Sequence, residues 1–133
     1  MENAFKDAVI KKEDIQYYNA HGTSTGANDP AETAMLKAVF GDHAYKLKVS
    51  STKSETGHMV GGAGAIEAIM CIKAMEENFV PPTINLDNPD LEHGCDLDYV
   101  PNVGQSVEVN ATASCSLGFG GHNGCIILKK IKD

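Results

Sequence analysis

Three short segments of the chain group histidine, lysine, hydroxyl and glycine residues in ways that could support chemistry. The first is Asn19-Ala20-His21-Gly22-Thr23-Ser24-Thr25-Gly26, where a histidine leads into a run of hydroxyls and glycines. His21 could serve there as a hydrogen-bonding group, or sit satisfied inside a capped turn. The second is Lys53-Ser54-Glu55-Thr56-Gly57-His58. At the start of a helix, His58 would meet the helix dipole and Lys53, and both disfavour imidazolium. A neutral imidazole can donate one ring N–H to a developing oxyanion while its other nitrogen accepts. A histidine that caps a helix beside a surface lysine fits the same residues. The third segment is Ser116-Leu117-Gly118-Phe119-Gly120-Gly121-His122-Asn123-Gly124. It is as glycine-rich as a phosphate loop, but an apolar strand follows it instead of a helix, which argues against nucleotide binding.

Glu67 joins this group for a different reason. It is the only charge between His58 and Lys73 in an otherwise apolar stretch. A buried carboxylate needs a partner, and Lys53 is the obvious one; otherwise Glu67 reaches solvent. Helical spacing puts Glu67 roughly opposite His58.

These residues need elements to position them. Ile15–Ala20 reads as a strand that delivers His21. Asp29-Pro30 opens a helix through Phe40, with Asp29 as cap and Gly41 as stop. Leu47–Thr52 reads as a strand that delivers Lys53. A long helix is expected from His58 to Glu76. Its early glycines (Gly61, Gly62, Gly64) imply close backbone packing, and its apolar faces imply a central position. Residues 2–10 read as a helix end, Pro81–Pro101 as an ordered loop with short strands, and Val107–Cys115 and Cys125–Lys130 as a hairpin. The order predicts an α/β domain over residues 1–133, with a mixed sheet and ligands at strand carboxyl ends. Two parallel strands are a thin core for so much apolar helix, which hints at a missing partner surface.

Composition narrows the function classes. With 42% hydrophobic and 22% charged residues, the chain fits a soluble globular domain. A net charge of −7 argues against nucleic-acid binding, though a small basic patch could still receive an acidic carrier protein. No apolar run is long enough for a membrane span, and the first residues contain no signal-peptide core. The four cysteines form no C-x-x-C pair, which predicts a reduced, cytoplasmic setting with Cys71 and Cys125 as core thiols. No histidine or cysteine pair has metal-ligand spacing, so neither a metal nor a cofactor is expected.

Taken together, the segments are more specific than any one alone. Asn19–Thr25 resembles the first-histidine motif of the β-ketoacyl-acyl carrier protein synthases, and Ser51–His58 resembles their lysine and second-histidine motif. Gly64-Ala65-Ile66-Glu67-Ala68 is similar to the helix that carries the family's glutamate. Pro81–Leu86 and Cys95–Pro101 are similar to its loop signatures, and Gly118–Asn123 to its C-terminal glycine loop. The chain most resembles the bacterial synthase II branch, the elongating type.

The resemblance implies the C-terminal half of a thiolase-like fold: a five-stranded type of mixed sheet, minus its first strand, with helices packed on it. It implies decarboxylative condensation of malonyl-acyl carrier protein with an acyl-enzyme thioester in fatty acid elongation. His21 and His58 would stabilise the enolate, with Lys53 and Glu67 orienting them. Thr23 and Thr25 would hold the pantetheine arm. The Phe119 N–H would help form an oxyanion hole, and its ring would gate the acyl pocket. The family's nucleophilic cysteine lies in the other half, and no residue here matches it, so the chain alone is expected to be inactive. The implied partners are acyl carrier protein and the N-terminal half; a homo-oligomer is also expected. Glu55 and Gly26-Ala27-Asn28 depart from the family pattern without removing a catalytic group. A polyketide ketosynthase fragment and a structural half without catalysis remain alternative readings. A thiolase is disfavoured, because thiolases pair one histidine with two cysteines.

Overall fold

The structure is a computed structural model that describes residues 1–131. Its elements are α1 (Glu2–Ala8), β1 (Tyr17–Asn19), α2 (Asn28–Phe40), β2 (Lys48–Ser50), α3 (Lys53–Thr56), α4 (Ala63–Glu77), β3 (Phe79–Val80), β4 (Gln105–Ser106), β5 (Ala111–Leu117) and β6 (Asn123–Lys129), joined by loops and short 3-10 turns. The main sheet has the order β2-β1-β5-β6, while β3 and β4 form a small antiparallel ribbon.

Strand β1 pairs in parallel with both β2 and β5, and β6 returns antiparallel to β5. The parallel core therefore has three strands, not the two counted in the sequence. The first strand of the hairpin, which starts at Ala111 and not at Val107, is reached by a crossover and joins β1 in parallel.

Alternation along the strands builds two cores. Tyr18, Ala113 and Cys115 face Phe5, Leu36 and Phe40 from α1 and α2. Tyr17, from the opposite face of β1, packs with Cys71, Ala74 and Met75 of α4. Each fully buried side chain of the size of Leu36 contributes about 2 kcal/mol.

Several element ends differ from the sequence reading. Helix α1 stops at Ala8, because Val9 turns left-handed at φ 50°. Asp29 is not the cap of α2: the helix begins at Asn28, whose N–H donates to Thr25 Oγ1 at 3.2 Å. The expected long helix starts later than His58. Gly57, at φ 73°, ends the short α3, a 3-10 turn spans Val60–Gly62, and α4 begins only at Ala63.

The expected close packing at the glycines is absent within the described residues. A Cβ on Gly61 would meet nothing within 4 Å, and one on Gly64 would come no nearer than 3.9 Å to Ser116. Nor is α4 central here. It packs on the sheet by one face, while Ile69 and Ile72 on the other are 52% and 42% exposed.

Cys71 is a buried thiol, and burial pushes its pKa up to about 12. Cys125 is not a free core thiol. It faces Cys115 across the hairpin and forms a disulfide with it, which departs from the all-reduced reading.

Candidate active site

Parallel pairing brings the carboxyl ends of β1 and β2 side by side, so the loops that carry His21 and Lys53 leave the sheet together. The His21 loop is anchored by Glu32. One carboxylate oxygen accepts from the His21 N–H at 2.8 Å and the Tyr18 hydroxyl at 2.8 Å. The other accepts from the Gly22 N–H at 2.9 Å and Asn28 Nδ2 at 3.2 Å. Gly22 sits at φ 40°, and a Cβ there would lie 2.5 Å from Ser51 Cβ, so the turn requires glycine. Ser51 Oγ donates to the Gly22 carbonyl at 2.6 Å and ties this loop to the end of β2.

The rings of His21 and His58 meet edge to face, with centroids 5.6 Å apart. His58 lies in the irregular segment between α3 and α4, not at the start of a helix. Its tautomer follows instead from a local contact: the Val60 N–H donates to His58 Nδ1 at 3.1 Å. In the neutral ring the proton then sits on Nε2, which becomes the donor. Partial burial, then the charge of Lys53, hold the His21 pKa below its usual value. His21 Nδ1 is buried without a hydrogen-bond partner among the described residues.

Lys53 Nζ contacts Glu67 Oε1 directly, and the two side chains are only 6% and 2% exposed. Ser116 Oγ, from the end of β5, donates to Glu67 Oε2 at 3.5 Å. The pair links α3 with α4 and, through Ser116, with the end of β5.

Thr23 and Thr25 hydroxyls lie 3.2 Å apart. With Lys53 and His58 they line a cavity of about 530 Å3 that opens between the start of α2 and the loop around Thr83–Asp90. Neither His21 nor Phe119 is in the cavity wall. His21 reaches the site through its contact with His58. Phe119 is fully exposed on the hairpin loop, where the Gly118 N–H donates to the His122 carbonyl at 3.0 Å. The resemblance implies that the Phe119 ring gates an acyl pocket; here the ring lines no part of this cavity.

The family described as beta-ketoacyl synthase, C-terminal domain, matches residues 1–87. The chain belongs to this family. As a β-ketoacyl synthase domain, it is 53% identical over its full length to a 3-oxoacyl-[acyl-carrier-protein] synthase 2 of Coxiella burnetii, covering 32% of that protein. It is 54% identical over 96% of its length to the synthase 2 of Synechocystis, of which it covers 30%. It therefore spans about a third of the length of the curated relatives it matches. Its fold overlays a β-ketoacyl synthase from Burkholderia phymatum with a TM-score of 0.91 at 35% identity, covering 99% of this chain and 31% of that one. It also overlays a type II polyketide ketosynthase solved with its acyl-carrier protein, with a TM-score of 0.93 at 38% identity, covering 98% and 32%. The domain is thus the C-terminal portion of a thiolase-like condensing-enzyme fold.

Sequence reasoning missed Glu32. The available signal was an acid on the buried face of α2, four residues after Asn28, with no basic residue nearby to pair with. Two of its four partners are backbone N–H groups, which no side-chain pattern reveals.

Proposed function

We propose that this domain is the C-terminal part of a 3-oxoacyl-acyl carrier protein synthase of fatty acid elongation, and that it supplies the two donors for the decarboxylation half-reaction. The observation that carries this reading is the edge-to-face His21–His58 pair, with His58 Nε2 left as donor. In the proposed reaction, the thioester carbonyl of malonyl-acyl carrier protein accepts hydrogen bonds from both imidazoles. The bond to the malonyl carboxylate breaks, carbon dioxide leaves, and its electron pair forms an enolate held by the two donors. The enolate carbon attacks the acyl group carried as a thioester by a cysteine outside this chain. The cysteine thiolate leaves, and the 3-oxoacyl product forms.

Lys53 and Glu67 position the histidines, and burial of their ion pair makes that scaffold stiff. Thr23 and Thr25, on the cavity wall, would hydrogen-bond the pantetheine arm. The Phe119 N–H would join an oxyanion hole, and its ring would gate the acyl pocket, only once the N-terminal half covers the loop. The chemistry needs no cofactor. The partners are acyl carrier protein bearing malonyl and acyl thioesters, the N-terminal half of the same enzyme, and a second copy in a homo-oligomer; nucleic acid and membrane have no part. The setting is cytoplasmic. No helix among the described residues is long and apolar enough to cross a membrane.

Elongation is favoured over polyketide synthesis because the curated synthase 2 relatives reach 53–54% identity, against 38% for the polyketide ketosynthase structure. The test is to mix the chain with a separately made N-terminal half and supply both thioesters. Formation of 3-oxoacyl product by the mixture, and by neither half alone, supports the reading. A mixture that binds as a complex but forms no product assigns the chain a purely structural role.

A further inference from the structure

Cys115 and Cys125 occupy directly opposed register positions on β5 and β6, with Cα atoms 4.1 Å apart. The backbone ladder holds the two sulfurs together, so forming or breaking the bond needs no change of fold. Cys115 is buried toward the α1 and α2 side, while Cys125 is only half-buried on β6, the edge strand of the sheet. Cys71 and Cys95 are buried in other parts of the molecule and do not compete for the bond.

Only two register pairs, Ser116–Gly124 and Leu117–Asn123, separate the cysteines from the loop at the hairpin tip. That loop is held by one short 3-10 turn and by the Gly118–His122 contact, with Gly120 and Gly121 both at positive φ. Its order depends on how firmly the base of the hairpin is pinned.

We propose that the Cys115–Cys125 pair is a reversible redox-modification site, exchanged by small thiols and disulfides of the glutathione class, whose state sets the mobility of the glycine loop. In reduction, a small thiolate attacks Cys125 Sγ, the S–S bond breaks, and Cys115 leaves as a thiolate and takes up a proton. A second small thiolate then attacks the sulfur of the first, the small-molecule half of the mixed disulfide. This frees Cys125, which is protonated in turn, and releases a small-molecule disulfide that carries away the two electrons' worth of oxidation. Oxidation is the reverse. Other residues link the same hairpin to the buried ion pair: Ser116, next to Cys115, touches Glu67.

The test uses the chain as it stands, equilibrated in buffers spanning reduced to oxidised glutathione, acid-quenched, denatured and alkylated with N-ethylmaleimide. Intact mass should shift in one step between two alkylated cysteines, mapped to Cys71 and Cys95, and all four. Hydrogen exchange of amides 117–124 should be about tenfold faster in the reduced form, with β1 and β2 unchanged. Cys125→Ser should abolish the step and show fast loop exchange in both buffers. Four alkylated cysteines even in the most oxidising buffer would overturn the proposal, as would a reversible step with no change in loop exchange.

Discussion

The imidazoles of His21 and His58 stand at 87° to one another with ring centroids 5.6 Å apart, although one follows β1 and the other lies beyond β2 and α3. The approach follows from parallel pairing of β1 with β2, which sends both loops off the same edge. Two rings that share one space can aim two N–H groups at one oxygen.

In the enzyme reassembled with its N-terminal half, His21→Ala or His58→Ala should slow malonyl decarboxylation by about 10²–10³. Transfer of the acyl group to the cysteine should fall much less. Separate assays of carbon dioxide release and acyl-enzyme formation check this, and equal losses in the two would contradict the assigned roles.

Acid should weaken the fold through His21. Its folded pKa lies below the ordinary 6.5, because burial and then Lys53 disfavour the imidazolium. The unfolded chain therefore binds the extra proton first. Stability is fully present above about pH 6.5 and is lost as pH falls through the folded value. NMR titration should place the His21 midpoint below 6.5, and His21→Gln should flatten the stability slope in that window.

Glu32→Ala should destabilise the domain by about 3 kcal/mol, because it strands several buried donors at once. Glu32→Gln, which keeps acceptor oxygen but loses the charge, should cost less. Urea titrations of both variants decide the order.

Breaking the buried Lys53–Glu67 pair from one side should cost about 3–5 kcal/mol, since the remaining charge stays buried. The Lys53→Met, Glu67→Leu double variant should recover much of that loss. A double-mutant cycle that shows simple additivity would mean the two charges do not interact.

The outer face of α4, with Ile69 and Ile72 exposed, should drive self-association of the isolated chain. Sedimentation equilibrium across micromolar concentrations should show a dimer, and Ile69→Lys should shift it toward monomer. A clean monomer of the unsubstituted chain at high concentration would show that this face is not used.

Much of this protein could be read from its sequence. Apolar runs that end in polar, glycine-rich segments located β1, β2 and the hairpin. The isolation of Glu67 in an apolar helix pointed to Lys53, because a buried carboxylate must find a cation. The motifs around His21, Lys53, His58 and Phe119 pointed to the family. Local pattern reports a residue's side of an element, and these features are local. What faces that residue across space is a different matter, and only the tertiary structure decided it. The third parallel strand depends on a crossover that brings β5 beside β1. The Cys115–Cys125 contact depends on hairpin register. The start of α4 at Ala63 and not at His58 depends on a 3-10 turn, with Val60 at φ 50°, that the apolar run concealed. Glu32 stayed hidden because its partners include backbone N–H groups, which every residue but proline carries and which only folding can aim at one carboxylate.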